Sequence, residues 1–221
     1  MGELIYPGTC SFCGKTFSGK SMGRHLKSCG LTTRERLAAT ASAKLRAPSF
    51  HLFIDARYDP AYWLHLAVPA EDTLGSVDDF LRNIWVECCE HLSAFTIEGR
   101  QYPENPEESE MDVPLGRVLR PGMVFKYEYD FGSTTELRLK VVGFWDRQGE
   151  GDAIELLARN DAPQVACDEC GKHNATQICT DCQCEGAGWL CDDCADLHEC
   201  GSETLLPVVN SPRTGVCGYT G

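Results

Sequence analysis

The spacing of the cysteines is the feature that most constrains how this chain can fold. The chain has 14 cysteines in 221 residues, and between residues 30 and 166 only Cys88 and Cys89 occur. The other twelve cluster near the two ends, mostly as C-x-x-C pairs. In a reducing compartment such pairs indicate metal ligands more often than disulfides, and a redox pair would need a single C-x-x-C at the start of a helix. We therefore expect two metal-organised segments with a globular segment between them.

The first segment has the spacing of a zinc finger. Its candidate ligands follow the pattern C-x2-C-x11-H-x3-C, at Cys10, Cys13, His25 and Cys29. Two thiolates on a tight turn, with a His and a Cys four residues apart on one helix face, can close a tetrahedron around zinc. Gly14 follows the second Cys, where a metal-binding turn needs a permissive backbone. The pattern predicts a small ββα finger over residues 1–30.

Charge is strongly segregated along the chain. Residues 1–50 carry eight Lys/Arg and two Asp/Glu, whereas residues 161–221 carry two and ten, and the whole chain has a net charge of −13. Positive charge attracts phosphate, so we expect DNA or RNA contact through residues 1–48. The candidate contacts are Lys15, Lys20, Arg24, Lys27, Arg34 and Arg36. The alternative is a finger that acts only as a structural cap or protein-binding module, because one finger offers little area for tight specific DNA binding.

A second basic helix is predicted after the finger. Thr32 and Glu35 fit a capping box, and an Ala- and Leu-rich run continues until Pro48. The pattern predicts a helix over about 33–46 within a basic linker that spans residues 31–48.

The central segment, residues 49–162, reads as an α+β domain. The run "SVDDFLRNIWVECCEHL" has apolar residues at helical spacing, with Ser76 as the expected N-cap. In that helix Cys88 would face the core, Cys89 would point away and His91 would lie at the end, so the group is interpreted as structural rather than as a site. Period-two or apolar runs predict strands in "AYWLHLAV", "SAFTIEGRQY", "MVFKYEYDFGSTTELRLKVVGFW" and "AIELLARND". An antiparallel or mixed sheet packed on one main helix is expected.

Several strings in this segment resemble the plasmid pRiA4b ORF-3-like family. They are "WLHLAV", "HLSAFTIEGRQY" and above all "FKYEYDFGSTTEL", within roughly residues 50–160. The resemblance implies an α+β fold, frequent carriage on mobile elements and occasional fusion to zinc-binding pieces. The turn at Ser133–Glu136 departs from the acidic, Trp-containing form that is usual in the family. We recognise neither an activated serine with an arginine cluster nor a kinase motif set, so a non-enzymatic role is expected. The alternative is an enzyme with a site around Asp130.

The last segment, residues 163–221, has ligand pairs for two further zinc ions. The pairs are Cys167/Cys170, Cys179/Cys182, Cys191/Cys194 and His198/Cys200, with Cys184, His173 and Cys217 as weaker substitutes. Sequential wiring would join the first pair to the second; interleaved wiring would join the first to the third. The order of pairs resembles MYND and B-box cross-brace modules, which favours the interleaved arrangement.

Three closed, structural zinc sites are thus expected in all. Eight protein ligands for two metals leave no open position for catalysis in the last segment. Its acidity repels phosphate, so residues 163–221 are expected to contact a protein partner or the central domain. No run is apolar enough to span a bilayer and no signal peptide is recognisable, which predicts a cytoplasmic protein without membrane contact. Nothing in the sequence indicates the oligomeric state.

Overall fold

The computed structural model describes residues 6–38, 46–104, 110–148 and 154–221. The strands are β1 (Pro7–Cys10), β2 (Thr16–Ser18), β3 (Arg46–Ala56), β4 (Trp63–Pro69), β5 (Ser93–Ile97), β6 (Arg100–Pro103), β7 (Val124–Tyr129), β8 (Thr135–Gln148), β9 (Glu155–Asn160), β10 (Gln177–Cys179), β11 (Trp189–Leu190) and β12 (Leu205–Pro207). The helices are α1 (Gly19–Ala38), α2 (Leu74–Leu81), α3 (Leu115–Val118), α4 (Thr180–Gln183) and α5 (Asp192–Ala195), with a π-helix at Arg82–Val86 and a 3-10 turn at Ser202–Thr204.

The chain forms two compact units. The first comprises residues Met1–Phe80 and Leu92–Asp161, and the second comprises Leu81–His91 and Ala162–Gly221. No helix in the described ranges combines the length and the apolar character needed to cross a membrane.

A nine-stranded antiparallel sheet dominates the first unit. Its strand order is β2-β1-β9-β4-β3-β8-β7-β5-β6. The expected α+β class is therefore confirmed in its broad form, as a large antiparallel sheet with few helices. The first two strands are part of this sheet, because β1 pairs with β9 from Gly8↔Asn160 to Cys10↔Ala158.

Strand β4 is buried on both faces. All seven of its residues are buried, although the alternation in the sequence defines two different faces. The face that carries Trp63 and Ala67 packs in a cluster with Met22 and Leu26 of α1. Helix α1 thus covers this part of the sheet, and burying Met22 and Leu26 contributes roughly 1.5–3 kcal/mol each.

The helices differ from their predicted positions. No separate linker helix begins near residue 33, because residues 33–38 are the end of the 20-residue α1. Thr32 and Glu35 therefore lie inside a helix and do not form a capping box at its start. Residues 39–45 lie outside the described residues, and Arg46 and Pro48 already belong to β3. At 20 residues, α1 is accordingly the longest of the described helices. Its continuity follows from the absence of any proline between the two predicted helices.

The predicted central helix is shorter than its periodicity suggested. It begins at Leu74, and the N–H of Ser76 donates to the hydroxyl of Thr73 at 3.2 Å, so Thr73 rather than Ser76 caps the helix. After α2 the chain makes the π-helix Arg82–Val86 and turns extended at Glu87. Cys88 therefore lies beyond the helix and is only half-buried.

The aromatic string characteristic of the resemblance forms β7 and a turn. Phe125, Tyr127 and Tyr129 are buried, whereas Phe131 lies past the strand and is 57% exposed. Asp130 adopts a φ of 63°, and its carboxylate accepts the N–H groups of Gly132 and Ser133 at 2.9 and 3.2 Å. Asp residues tolerate this left-handed conformation because their short side chain bonds the following backbone, so Asp130 ends the strand.

The second unit has little secondary structure and an unusual core. Its only sheet among the described residues is β11-β10-β12. The buried cluster consists of Cys167, Cys179, Leu190, Cys191 and Ala195. Three of these five side chains are thiols, so ordinary apolar burial contributes little here.

Candidate metal centres

The structure brings four groups of cysteine and histidine side chains together. In each group the ligand atoms lie within 4.8 Å of one another, and each can hold a metal ion. Three groups contain all twelve ligands predicted from the sequence: Cys10, Cys13, His25, Cys29; Cys167, Cys170, Cys191, Cys194; and Cys179, Cys182, His198, Cys200. The fourth group was not predicted as a site and consists of Cys88, Cys89, His91 and Cys217.

The first group is built by a strand–turn–strand–helix segment. The N–H of Gly14 donates to the carbonyl of Cys10 at 2.9 Å, and Gly14 has a φ of 67°, so the turn presents both thiols on one side. His25 lies on α1, and its Nε2 is 3.3 Å from the Cys13 sulfur. The ring of Phe17 stacks on His25 at 4.1 Å between centroids, which holds the imidazole in orientation.

The second and third groups have the interleaved arrangement, in which the first pair of ligands joins the third and the second joins the fourth. Cys170 and Cys191 bring their sulfurs to 3.8 Å, whereas Cys182 lies 3.7 Å from Cys200 and 3.4 Å from His198 Nε2. The first of these turns repeats the geometry at Gly14, because the N–H of Gly171 donates to the Cys167 carbonyl at 2.9 Å with a φ of 61°.

The weaker substitute ligands lie elsewhere. Cys184 is exposed, with its sulfur 3.9 Å from the Thr180 carbonyl, and it belongs to none of the four groups. His173 is exposed and contributes its carbonyl to the Cys167 N–H at 2.9 Å. Cys217 belongs to the fourth group.

The pKa values of the thiols differ within the groups, because closely spaced thiols cannot all ionise at the same pH. Burial opposes ionisation of Cys167, but the backbone N–H groups of Cys170, Cys191 and Glu169 lower its pKa to about 6. Burial also opposes ionisation of Cys179, whose pKa falls to about 6 through the Thr204 hydroxyl and the Cys182 backbone. Neighbouring thiols hold the pKa of Cys182 at about 12. A bound cation would relieve this mutual repulsion, because metal ligation requires every thiol to be deprotonated.

A basic groove in the first unit contains part of the predicted nucleic-acid contact set. Lys20, Arg24 and Lys27 lie along one side of α1 and line a cavity of about 660 Å³. Arg138 and Lys140 of β8 line its other side, and the described residues that line the cavity include no carboxylate. The sequence reasoning missed these two, although their alternation with buried Leu137, Leu139 and Val141 indicates one exposed strand face.

The other three residues predicted to contact nucleic acid either lie outside the groove or have side chains outside the described residues. The Lys15 carbonyl accepts the Cys10 N–H at 3.0 Å in the turn of the first group, and Lys15 does not line the groove. Arg34 and Arg36 fall on α1 at positions whose side chains lie outside the described residues.

Comparison with known proteins places the chain in a family. The family model described as plasmid pRiA4b ORF-3-like protein matches residues 51–183, more than half of the chain. The chain belongs to the plasmid pRiA4b ORF-3-like family. The match extends beyond the strings that suggested it and includes the first two C-x-x-C pairs of the second unit.

Other comparisons of this pRiA4b ORF-3-like protein are less informative. A crystal structure of a protein of unknown function from Methanosarcina mazei Go1 is similar over 51% of this chain and 68% of its own, with 16% identity and a TM-score of 0.44. A search of the curated proteins gives no match.

Two buried histidines, His51 and His65, connect the sheet to α1. His65 Nε2 donates to the Gly19 carbonyl at 3.1 Å, and its Nδ1 lies 2.8 Å from Nε2 of His51. Both rings are buried. Because Nδ1 of a neutral His65 accepts, His51 is the donor in this pair. The pair holds the floor of the groove beneath the start of α1.

We expect His65 to make the first unit sensitive to mild acid. Burial lowers its pKa to about 4, despite the bond to Gly19. The unfolded chain therefore binds a proton between about pH 6.5 and pH 4 that the folded chain excludes, so stability present above pH 6.5 is lost as pH falls. The loss between pH 7 and pH 5 amounts to about 2 kcal/mol. Urea unfolding of wild type and His65→Gln at both pH values measures it, since acid release of metals affects both proteins equally; identical pH dependence in the two would contradict it.

Proposed function

We propose that this protein is a non-enzymatic, zinc-stabilised protein that binds nucleic acid through the basic groove. The observation that carries the proposal is the convergence of Lys20, Arg24 and Lys27 of α1 with Arg138 and Lys140 of β8 around one cavity. Sites that contact a phosphate backbone use Lys and Arg in this way.

The charge around the groove supports an anionic ligand. Arg138 is paired with Asp55 through Nε at 2.9 Å, so part of its charge is neutralised within the fold. Lys20, Arg24, Lys27 and Lys140 are exposed and add positive charge to this surface. The groove is also flanked by Phe53 and Val124, which offer apolar contact for a base or sugar.

Zinc is the metal that best fits the three predicted groups. Sulfur and imidazole donors in sets of four suit a tetrahedral, borderline-soft ion. Two thiolates 2.3 Å from a tetrahedral centre lie about 3.8 Å apart, and the sulfur separations of 3.8 Å at Cys170/Cys191 and 3.7 Å at Cys182/Cys200 match this value. Four protein ligands per ion leave no coordination position for water, so these zincs are proposed to be structural.

The acidic second unit has a different proposed role. Residues 161–221 carry ten Asp/Glu and two Lys/Arg, and a site of three or four thiolates adds negative charge to a zinc ion. Phosphate is repelled from such a surface. We propose that residues 163–221 contact a protein partner.

Salt-dependent binding tests the groove. Fluorescence anisotropy with labelled single-stranded DNA, duplex DNA and single-stranded RNA, from about 50 to about 200 mM salt, gives the slope of log K against log salt. The triple variant K20A/R24A/K27A is expected to lower that slope by about 2–3, because each lost phosphate contact removes about 0.7–0.9.

A charge-matched control separates the groove from net charge. The variant R117A/R120A/K172A removes three exposed positive charges that do not line the cavity. It should retain most of the affinity and slope. Equal losses in both triple variants, or no binding by wild type at low salt, would overturn the proposal.

A further inference from the structure

The fourth group joins three thiols and an imidazole from two distant parts of the sequence. The Cys89 sulfur lies 3.7 Å from the sulfurs of both Cys88 and Cys217 and 3.0 Å from Nε2 of His91. The same His91 nitrogen is 3.2 Å from the Cys217 sulfur. All four residues belong to the second compact unit.

The segment that holds Cys88, Cys89 and His91 is fixed by one arginine. The guanidinium of Arg82 donates to the Glu87 carboxylate at 2.7 Å and to the His91 carbonyl at 2.9 Å. Glu90, between the last two ligands, has a φ of 60°. This left-handed conformation is costly for a Glu, and it turns His91 back towards Cys89.

The segment that holds Cys217 is fixed in the same unit. The Ser211 hydroxyl donates to the carbonyl of Trp85 in the π-helix, and the Arg213 N–H donates to the Ser211 oxygen at 2.9 Å. Arg213 is fully buried, and the Tyr219 N–H closes a turn on Val216 at 3.0 Å. Cys217 itself has a φ of 51°, so a second strained non-glycine residue lies at this group.

We propose that Cys88, Cys89, His91 and Cys217 form a fourth zinc site, which ties residues 208–221 to the segment after α2. The donor set of three thiols and one imidazole is that of a closed structural site. Both sulfur separations of 3.7 Å agree with the roughly 3.8 Å expected for thiolates on one tetrahedral zinc. A disulfide would bring two sulfurs to about 2.05 Å, which neither pair approaches.

The site explains features that packing alone leaves without a role. Cys89 and Cys217 are exposed, so burial in an apolar core does not account for the contact between their thiols. Left-handed backbone conformations such as those of Glu90 and Cys217 are costly for non-glycine residues and persist only where the surroundings enforce them. A zinc ion bridging residues 126 apart in sequence supplies that enforcement.

Zinc stoichiometry of the full-length protein tests the fourth site directly. Elemental analysis of wild type, Cys89→Ser and Cys217→Ser, purified with reductant, should show one zinc fewer in each variant than in wild type. The matched control is Cys184→Ser, which changes an exposed thiol outside every group and should keep the wild-type count. Cys217→His should restore the lost ion, because histidine is a zinc ligand whereas serine is a poor one.

The difference between variant and wild type decides the result. It does not depend on nucleic-acid binding or on how many of the other three groups are occupied. Circular dichroism checks that each variant keeps the wild-type secondary structure. Equal zinc counts in wild type, Cys89→Ser and Cys217→Ser would overturn the site.

Discussion

Chelation of the metals is expected to unfold residues 162–221 while the nine-stranded sheet largely persists. Three of the five buried residues in the cluster of Cys167, Cys179, Leu190, Cys191 and Ala195 are thiols of the second and third groups. Without a cation the ionised thiolates repel one another, and the cysteine side chains offer little apolar area. Structural zinc contributes about 10–16 kcal/mol to the folding of small zinc modules, more than the whole stability of many domains.

Two measurements separate the units. Trypsin and chymotrypsin digestion with and without a chelator should expose cleavage sites after residue 162 only in the metal-free protein, and mass spectrometry locates the cuts. Far-ultraviolet circular dichroism should retain most of the strand signal. Cys167→Ser and Cys179→Ser should reproduce the effect without a chelator, with Cys184→Ser as control. Protection of residues 162–221 after verified metal removal would contradict the prediction.

Short-range ligand patterns were readable from the sequence. The turn at Cys10–Gly14 and its counterpart at Cys167–Gly171 are local, so C-x-x-C spacing followed by glycine defines them without knowledge of the fold. The alternation in β4 and β7 was equally local, and both strands occur where it predicts them. These signals depend on residues two to four positions apart.

Groups formed by residues that are distant in the sequence could not be predicted from it. His91 and Cys217 lie 126 residues apart, and only the fold brings them to 3.2 Å. The helical periodicity around Cys88 predicted a helix that is too long, because the chain passes through a π-helix and becomes extended at Glu87. Only the α1 side of the groove was predicted, because its Lys and Arg residues lie close together in the sequence. Arg138 and Lys140 come from a strand, and which residues lie beside that strand depends on the order of strands in the sheet.

The finger segment illustrates how tertiary context changes a motif. Its spacing predicts an independent small module, yet β1 pairs with β9 and the side chains of α1 pack on β4. Cys10 is a candidate ligand of the first group and is also 1% exposed within that apolar cluster. A metal bound at the first group would therefore be coupled to the packing of the sheet.

Loss of the first metal should loosen the adjoining strands as well as the finger. Cys13→Ser removes an exposed ligand without altering the buried cluster, so its effect on the sheet has to pass through the metal. The turn that carries Cys10 would lose its anchor to His25, and β1 would fray from β9. We expect amide exchange in β9 to accelerate by about 10–100-fold, equivalent to about 1.4–2.7 kcal/mol of lost local stability.

Hydrogen exchange followed by mass spectrometry resolves this effect by strand. Peptides covering β5 and β7, several strands away in the sheet, should keep wild-type exchange and act as an internal control. Cys184→Ser supplies the matched thiol-to-hydroxyl control. An independent finger would confine faster exchange in Cys13→Ser to residues 7–30, because nothing would then link its metal to β9. Faster exchange at Glu155–Asn160 would instead show that a metal at the first group stabilises the neighbouring strands of the sheet.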